Sequence, residues 1–234
     1  MGLFTTPPRA APHTLRALAW LLRYPDHEVR AHLLLLREAL HQEAALSASR
    51  LAELDALVAQ LARADELAVE ADFVQLFDSG RRTALHLFEH VHGDSRERGP
   101  AMIDLAQTYE KAGLYLAEGE MPDHLPVVLE FASTQPAREA AAFLGEIAHL
   151  VNAIFQALQA KDSRYASVMG ALLDLAGVPA SAVTVPEDEP LDATWAEPEA
   201  FGGCSSAGQQ APSAQPIHLV RRASGAQPQQ GARA

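Results

Sequence analysis

Apolar residues return at helical intervals through most of the chain, and short breaks rich in proline, glycine or aspartate divide them into nine segments. Residues 14–22 form the first expected helix, ended by Tyr24-Pro25. Asp26 is placed to cap the second, in which Val29, Leu33, Leu36 and Leu40 share a face. Ser49 opens a third, with Leu51, Leu54, Val58 and Leu61 on one side. A fourth covers residues 66–77 and stops at Asp78-Ser79-Gly80. Residues 82–92 read as a fifth helix and 100–113 as a sixth, with Pro100 at its first position. The seventh follows Asp123, which is placed to cap it; Leu125, Val128, Leu129 and Ala132 make its apolar face. Pro136 begins a long eighth carrying Phe143, Ile147, Val151, Ile154 and Leu158. The ninth starts at Asp162 or Ser163, carries Tyr165, Val168, Met169 and Leu172, and ends at Gly177. With no period-2 strand and no repeat at fixed spacing, the expected fold is all-α, a single helical bundle domain over residues 14–177 behind a proline-rich arm, 1–13.

Beyond Val178 the pattern stops. Seven of the 15 prolines lie there, and an acidic run (Glu187, Asp188, Glu189, Asp192) leads into Pro/Gln/Gly-rich sequence. Such a stretch buries too little apolar surface to offset its ordering entropy, so residues 178–234 are expected to be mostly disordered, with one island from Leu191 through Trp195 to Phe201. The 18 basic against 30 acidic residues argue against a sequence-independent grip on nucleic acid, which depends on cations at phosphates. A single cysteine, Cys204, excludes an internal disulfide and fits a reducing compartment. No apolar run approaches the length of a bilayer crossing, and the start lacks the basic-then-apolar order of a secretory signal, so the expected location is the cytoplasm, without stable membrane insertion.

Two motifs invite a chemical reading. Glu120-Met121-Pro122-Asp123-His124 sets an acid and an imidazole at a rigid corner before the seventh apolar stripe, which suits either an ordinary helix start or a docking site for a peptide. His86-Leu87-Phe88-Glu89-His90 spells H-x-x-E-H; on a helix His86 and His90 would share a face as zinc ligands, with Glu89 as base. The rival reading is a chance match, for the chain holds ten histidines and offers no obvious third ligand. No phosphate loop or dinucleotide fingerprint occurs, and no nucleophile–base order stands out.

Three blocks together resemble the NarJ-type nitrate reductase assembly chaperones, within the wider TorD-like family. They are Phe73-Val74-Gln75-Leu76-Phe77-Asp78-Ser79-Gly80-Arg81, the run from Leu87 through Gly99, and Met121-Pro122-Asp123-His124-Leu125-Pro126 through Glu130. The resemblance implies an all-helical chaperone with no catalysis and no cofactor of its own. Its implied partner is the apo catalytic (alpha) subunit of respiratory nitrate reductase, bound by its N-terminal peptide, kept competent for molybdenum cofactor insertion and held off the membrane. Molybdenum cofactor biosynthesis proteins are further partners it suggests. The alternatives are a chaperone for an S- or N-oxide reductase and a zinc hydrolase. The residues expected to meet the peptide are Phe73, Phe77, Leu125 and Leu129 as groove lining, with Asp78, Asp123, His124 and Glu130 as a polar rim. Glu89 and His90, in the shared middle block, are expected to take part in binding the partner as well. An unperturbed His124 would make peptide affinity vary between about pH 5 and 8.

Overall fold

Local side-chain caps set three of the helix starts among the described residues. In the computed structural model, which describes residues 10–93 and 95–182, α1 (Pro12–Leu21) starts on a proline. Its free backbone donors are met from a distance: Glu43 accepts from His13 N–H at 3.2 Å and Thr14 N–H at 2.6 Å. Asp26 caps α2 (His27–Glu43) through Val29 N–H, and Ser47 caps α3 (Ala48–Arg63) through Arg50 N–H. Asp65 caps α4 (Glu66–Phe77), whose bounds are those the sequence pattern predicts. A 3-10 turn (Arg81–Thr83) and the short α5 (Leu87–Val91) follow. Next come α6 (Arg98–Lys111), α7 (Leu125–Thr134), α8 (Ala137–Ala160) and α9 (Ala166–Ala176), the last closed by left-handed Gly177.

The bundle is organised around α8 against α9 and α1 against both α7 and α2, with α3 joining α2 to α9. The predicted stripe of α7 is its inner face: Leu125, Leu129 and Ala132 are fully buried and Val128 nearly so. They share one continuous core with Leu18 of α1, Leu22 just after it, and Ile154 and Leu158 of α8. Among the described residues nine α-helices and no strand are present, and the only β-type pairing is a single isolated bridge.

Three local expectations are corrected. Residues 82–92 are not one helix, because the chain from Ala84 to His86 is extended and pairs with the segment before α7. Pro100 is the third residue of α6, not the first; a first-turn nitrogen has no intrahelical acceptor, so proline costs nothing there. α8, 24 residues long with an 18-residue stretch of mean hydropathy 1.4, does reach the length and composition of a bilayer crossing. Its Leu144, Ala148, Val151 and Phe155 face the core at helical spacing. The expectations for the N-terminal arm before residue 10, for Asp94, and for the tail with Trp195 and Cys204 lie outside the described residues.

Candidate functional site

The stretch before α7 and the stretch before α5 meet as an antiparallel bridge, His86 with His124. Leu125 N–H donates to the Leu85 carbonyl at 2.9 Å, and Leu87 N–H to the Asp123 carbonyl at 3.0 Å. The two imidazoles are thereby stacked, with centroids 4.9 Å apart and planes at 22°. Beneath them the Asp123 side chain is wholly buried. Its carboxylate accepts from Phe88 N–H at 3.1 Å and faces His86 Nδ1 at 3.3 Å and the Arg98 guanidinium at 3.9 Å. Asp123 therefore closes the first turn of α5, not of α7. The N-terminus of α7 has no side-chain cap, and Pro126 in its first turn removes one of the donors a cap would serve.

Burial alone would raise the Asp123 pKa. The hydrogen bonds from His86 and Phe88 N–H, with the charges of His86 and Arg98, outweigh it and hold the carboxyl below its ordinary range. His86 is raised, chiefly by its hydrogen bond to Asp123 and against the effect of burial. His124 is pushed down by burial and then by the charge of His86, while Glu120 at 3.9 Å pulls the other way. The stacked pair thus holds its first proton on His86. The Tyr109 hydroxyl donates to the Pro122 carbonyl at 2.8 Å, and burial raises its pKa far out of the physiological range.

The zinc reading of H-x-x-E-H does not survive this geometry. His86 precedes α5 in extended conformation and aims its Nδ1 at Asp123, while His90 Nε2 faces the Ala84 carbonyl at 2.9 Å. Glu89 lies 3.6 Å from Arg98. Among the described residues no group of three or more His, Cys, Asp or Glu is arranged to hold a metal ion.

A cavity of about 300 Å³ opens on the outer face of α7. Val127, Glu130, Phe131 and Thr134 supply one wall at helical spacing, Arg16 and Trp20 of α1 another, and Tyr109 with Leu114, Tyr115 and Leu116 the third. Arg16 Nε donates to Ser133 Oγ at 3.2 Å, which ties α1 to α7 at the floor. The Tyr109 ring packs on Phe131 at 4.8 Å, so one tyrosine touches both the cavity and the Asp123 corner. Tyr115 is 80% exposed, and Glu130 projects its carboxylate at the solvent edge.

Of the residues expected to meet a peptide, Glu130 lies on this cavity, and Asp123 and His124 sit in the adjoining corner with Glu89 and His90. Leu125 and Leu129 do not line it; they are fully buried core residues. Phe73 and Phe77 are also interior, packed on each other at 4.7 Å and on Tyr165 at 5.8 and 5.1 Å. Asp78 is exposed at the end of α4. The sequence reading passed over Trp20, Tyr109, Tyr115, Val127 and Phe131. A signal for part of this set was present: 127, 130, 131 and 134 form a second i, i+3, i+4, i+7 stripe on α7.

Residues 26–169 match the family described as nitrate reductase delta subunit. The chain is 40% identical over 187 residues to the nitrate reductase molybdenum cofactor assembly chaperone NarJ of Escherichia coli K12, covering 76% of this chain and 79% of that protein. It is 35% identical over 193 residues to a protein of the same organism named as a probable chaperone of the same kind, NarW, covering 78% and 80%. Its fold is similar to that of a solved chain from Archaeoglobus fulgidus described as a redox enzyme maturation protein, with a TM-score of 0.50 at 22% identity, over 76% of this chain and 99% of that one.

Proposed function

This chain belongs to the nitrate reductase delta subunit family, as a NarJ-type molybdenum cofactor assembly chaperone and not an enzyme, and we propose that it binds the N-terminal peptide of the apo catalytic subunit of a respiratory nitrate reductase. In this reading it works in the cytoplasm, keeps the subunit open to molybdenum cofactor insertion, meets the cofactor's biosynthesis proteins there, and delays membrane assembly.

The observation that carries the peptide reading is the cavity on the outer face of α7. It combines four aromatic rings, the aliphatic side chains of Leu114, Leu116 and Val127, the Arg16 guanidinium tied to Ser133, and one carboxylate at the edge. A helical peptide presents apolar anchors at i, i+3 and i+4, and such anchors fit side-chain-sized hollows between helices. Micromolar binding needs about −8 kcal/mol. Three or four Leu-sized anchors at roughly 1.5–3 kcal/mol each reach that value before ordering costs. The Glu130 carboxylate adds register and steering for a basic residue in the peptide.

The test is calorimetric titration of the full chain with the N-terminal peptide of the co-encoded catalytic subunit, and with an S-oxide reductase leader as control. Saturable one-to-one binding of the first peptide and weak binding of the second is the expected result. A folded chain that takes up neither peptide overturns the proposal, and preference for the control would reassign the client.

A further inference from the structure

The third wall of the cavity is Tyr109, in the last turn of α6, with residues 114–116 just beyond it, and α6 is the least embedded of the long helices. α6 buries one side chain, Tyr109, over its 14 residues. The extensive helix-to-helix packing of the bundle joins α8 to α9 and α1 to α2 and α7, and α6 shares in none of it. Ile103 on its outer side is 59% exposed, and the Tyr115 that follows is 80% exposed. Downstream, Gly113 and Gly119 both take positive φ, 80° and 86°, where L-residues are strained and glycine is not. Neither would meet any neighbouring atom if a side chain were added, so these glycines serve backbone conformation and not close packing.

Two contacts fasten this helix to the bundle at opposite ends. At its first residue, Arg98 reaches Glu89 at 3.6 Å and Asp123 at 3.9 Å. At its last turn, Tyr109 donates to the Pro122 carbonyl at 2.8 Å and stacks on Phe131. The cavity so enclosed, about 300 Å³, is at the small end of ligand pockets and takes side chains only. A helix with its side chains is about 10–12 Å across and does not fit while α6 stays in place.

We propose that α6 is a movable strap over the outer face of α7, released at Arg98 and Tyr109 and pivoting on Gly113 and Gly119, and that its opening widens the cavity into a groove for the client helix. This rests on the peptide-binding reading, but the motion itself belongs to the free chaperone. Release needs no loss of core, because only Tyr109 leaves a buried position. The half-buried Met102 and Leu105 of α6 become available to the incoming peptide, so the strap closes again on its client with an apolar face.

Hydrogen–deuterium exchange on the full chain, read by mass spectrometry with and without the peptide, tests it. In the free chain the amides of 98–111 are expected to exchange about tenfold or more faster than those of α8 and α9. Arg98→Gln and Tyr109→Phe are each expected to speed exchange in 98–111 a further two- to fivefold, about the range of a half-exposed ion pair and of one net hydrogen bond, with α8 and α9 unchanged as the check on folding. Added peptide is expected to slow exchange in 98–111. Protection of α6 equal to that of α8, or peptide binding that leaves 98–111 unchanged, overturns the strap. Fast exchange in 98–111 that responds to both variants, with no peptide bound, supports the strap and removes the peptide reading alone.

Discussion

The buried carboxylate of Asp123 accepts a hydrogen bond from Phe88 N–H at 3.1 Å, so an acid just ahead of α7 terminates α5 on the other side of the corner. The contact makes Asp123 a tie between two segments and not a local cap. Asp123→Ala leaves the Phe88 donor without its partner and His86 without its anion. A loss of about 1–3 kcal/mol is expected, read as a lower urea midpoint with unchanged slope. A midpoint matching the parent chain would show that the tie contributes nothing to stability.

The two stacked histidines are expected to titrate on opposite sides of the ordinary imidazole value, about 6.5. His86 is raised, so its contribution to stability is complete below that value and is lost as pH rises through its higher folded pKa. His124 is lowered, so its contribution is complete above that value and is lost as pH falls toward its lower folded pKa. Asp123, also lowered, withdraws its contribution as pH falls from about 4 through its own folded value. NMR titration of the ring protons reads the first two directly. In Asp123→Asn the His86 value is expected to drop; an unmoved His86 would assign its shift to something other than Asp123.

Peptide affinity and stability are expected to separate on the two faces of α7. Val127→Asp and Glu130→Lys alter the cavity wall and its edge, so each is expected to weaken peptide binding about tenfold or more with little change in melting temperature. Leu129→Ala opens a void in the core and is expected to cost about 2–5 kcal/mol of stability while the folded fraction still binds. Calorimetry and thermal melting on the same samples decide it. Loss of affinity in the folded Leu129 variant with none in the other two would place the contact surface elsewhere.

Gly170 on α9 leaves room for the Arg50 guanidinium, which a methyl group there would overlap. Arg50 in turn holds Asp174 at 2.9 Å and pairs with Glu53. Gly170→Ala is expected to push the guanidinium aside and loosen both ion pairs, which offsets the helix preference for alanine of about 1 kcal/mol and leaves stability unchanged or up to about 1 kcal/mol lower. In the Arg50→Ala background the same change should be stabilising. Equal effects in both backgrounds, measured by denaturant unfolding, would mean that the overlap is relieved without breaking the ion pairs.

The difference between what could and could not be read from the chain follows the range of the forces. α4 has the bounds its pattern implies because Asp65 ahead of it and the Asp78-Ser79-Gly80 stop behind it act locally. The inner stripe of α7 was legible for the same reason, since Leu125, Val128, Leu129 and Ala132 need only helical periodicity to be recognised. The stretch from Ala84 to Val91 misled because its conformation is decided by residues 123–125, which supply its backbone partners from far along the chain. The same stripe that identified α7 also suggested that its apolar residues face a ligand, but a bundle buries its most apolar face first. The contact surface we propose is the weaker, mixed stripe of Val127, Glu130, Phe131 and Thr134, completed by Trp20 from α1 and Tyr115 from a loop. No periodicity within a single segment joins those three.

Because Leu87 N–H and the Asp123 carbonyl are hydrogen-bonded at 3.0 Å, the chain departs from the bundle and rejoins it at one point. Everything between them is an excursion with a shared doorway. Lengthening such a loop raises its closure cost only logarithmically, by about 0.6 kcal/mol per doubling. Insertions or deletions beyond α6 can therefore change the cavity wall formed by residues 114–116 while α1, α2, α7, α8 and α9 keep their positions. The bridge thus separates one wall of the cavity, Tyr109 with Leu114, Tyr115 and Leu116, from the walls on α1 and α7, so that one side can be reshaped without redesigning the core.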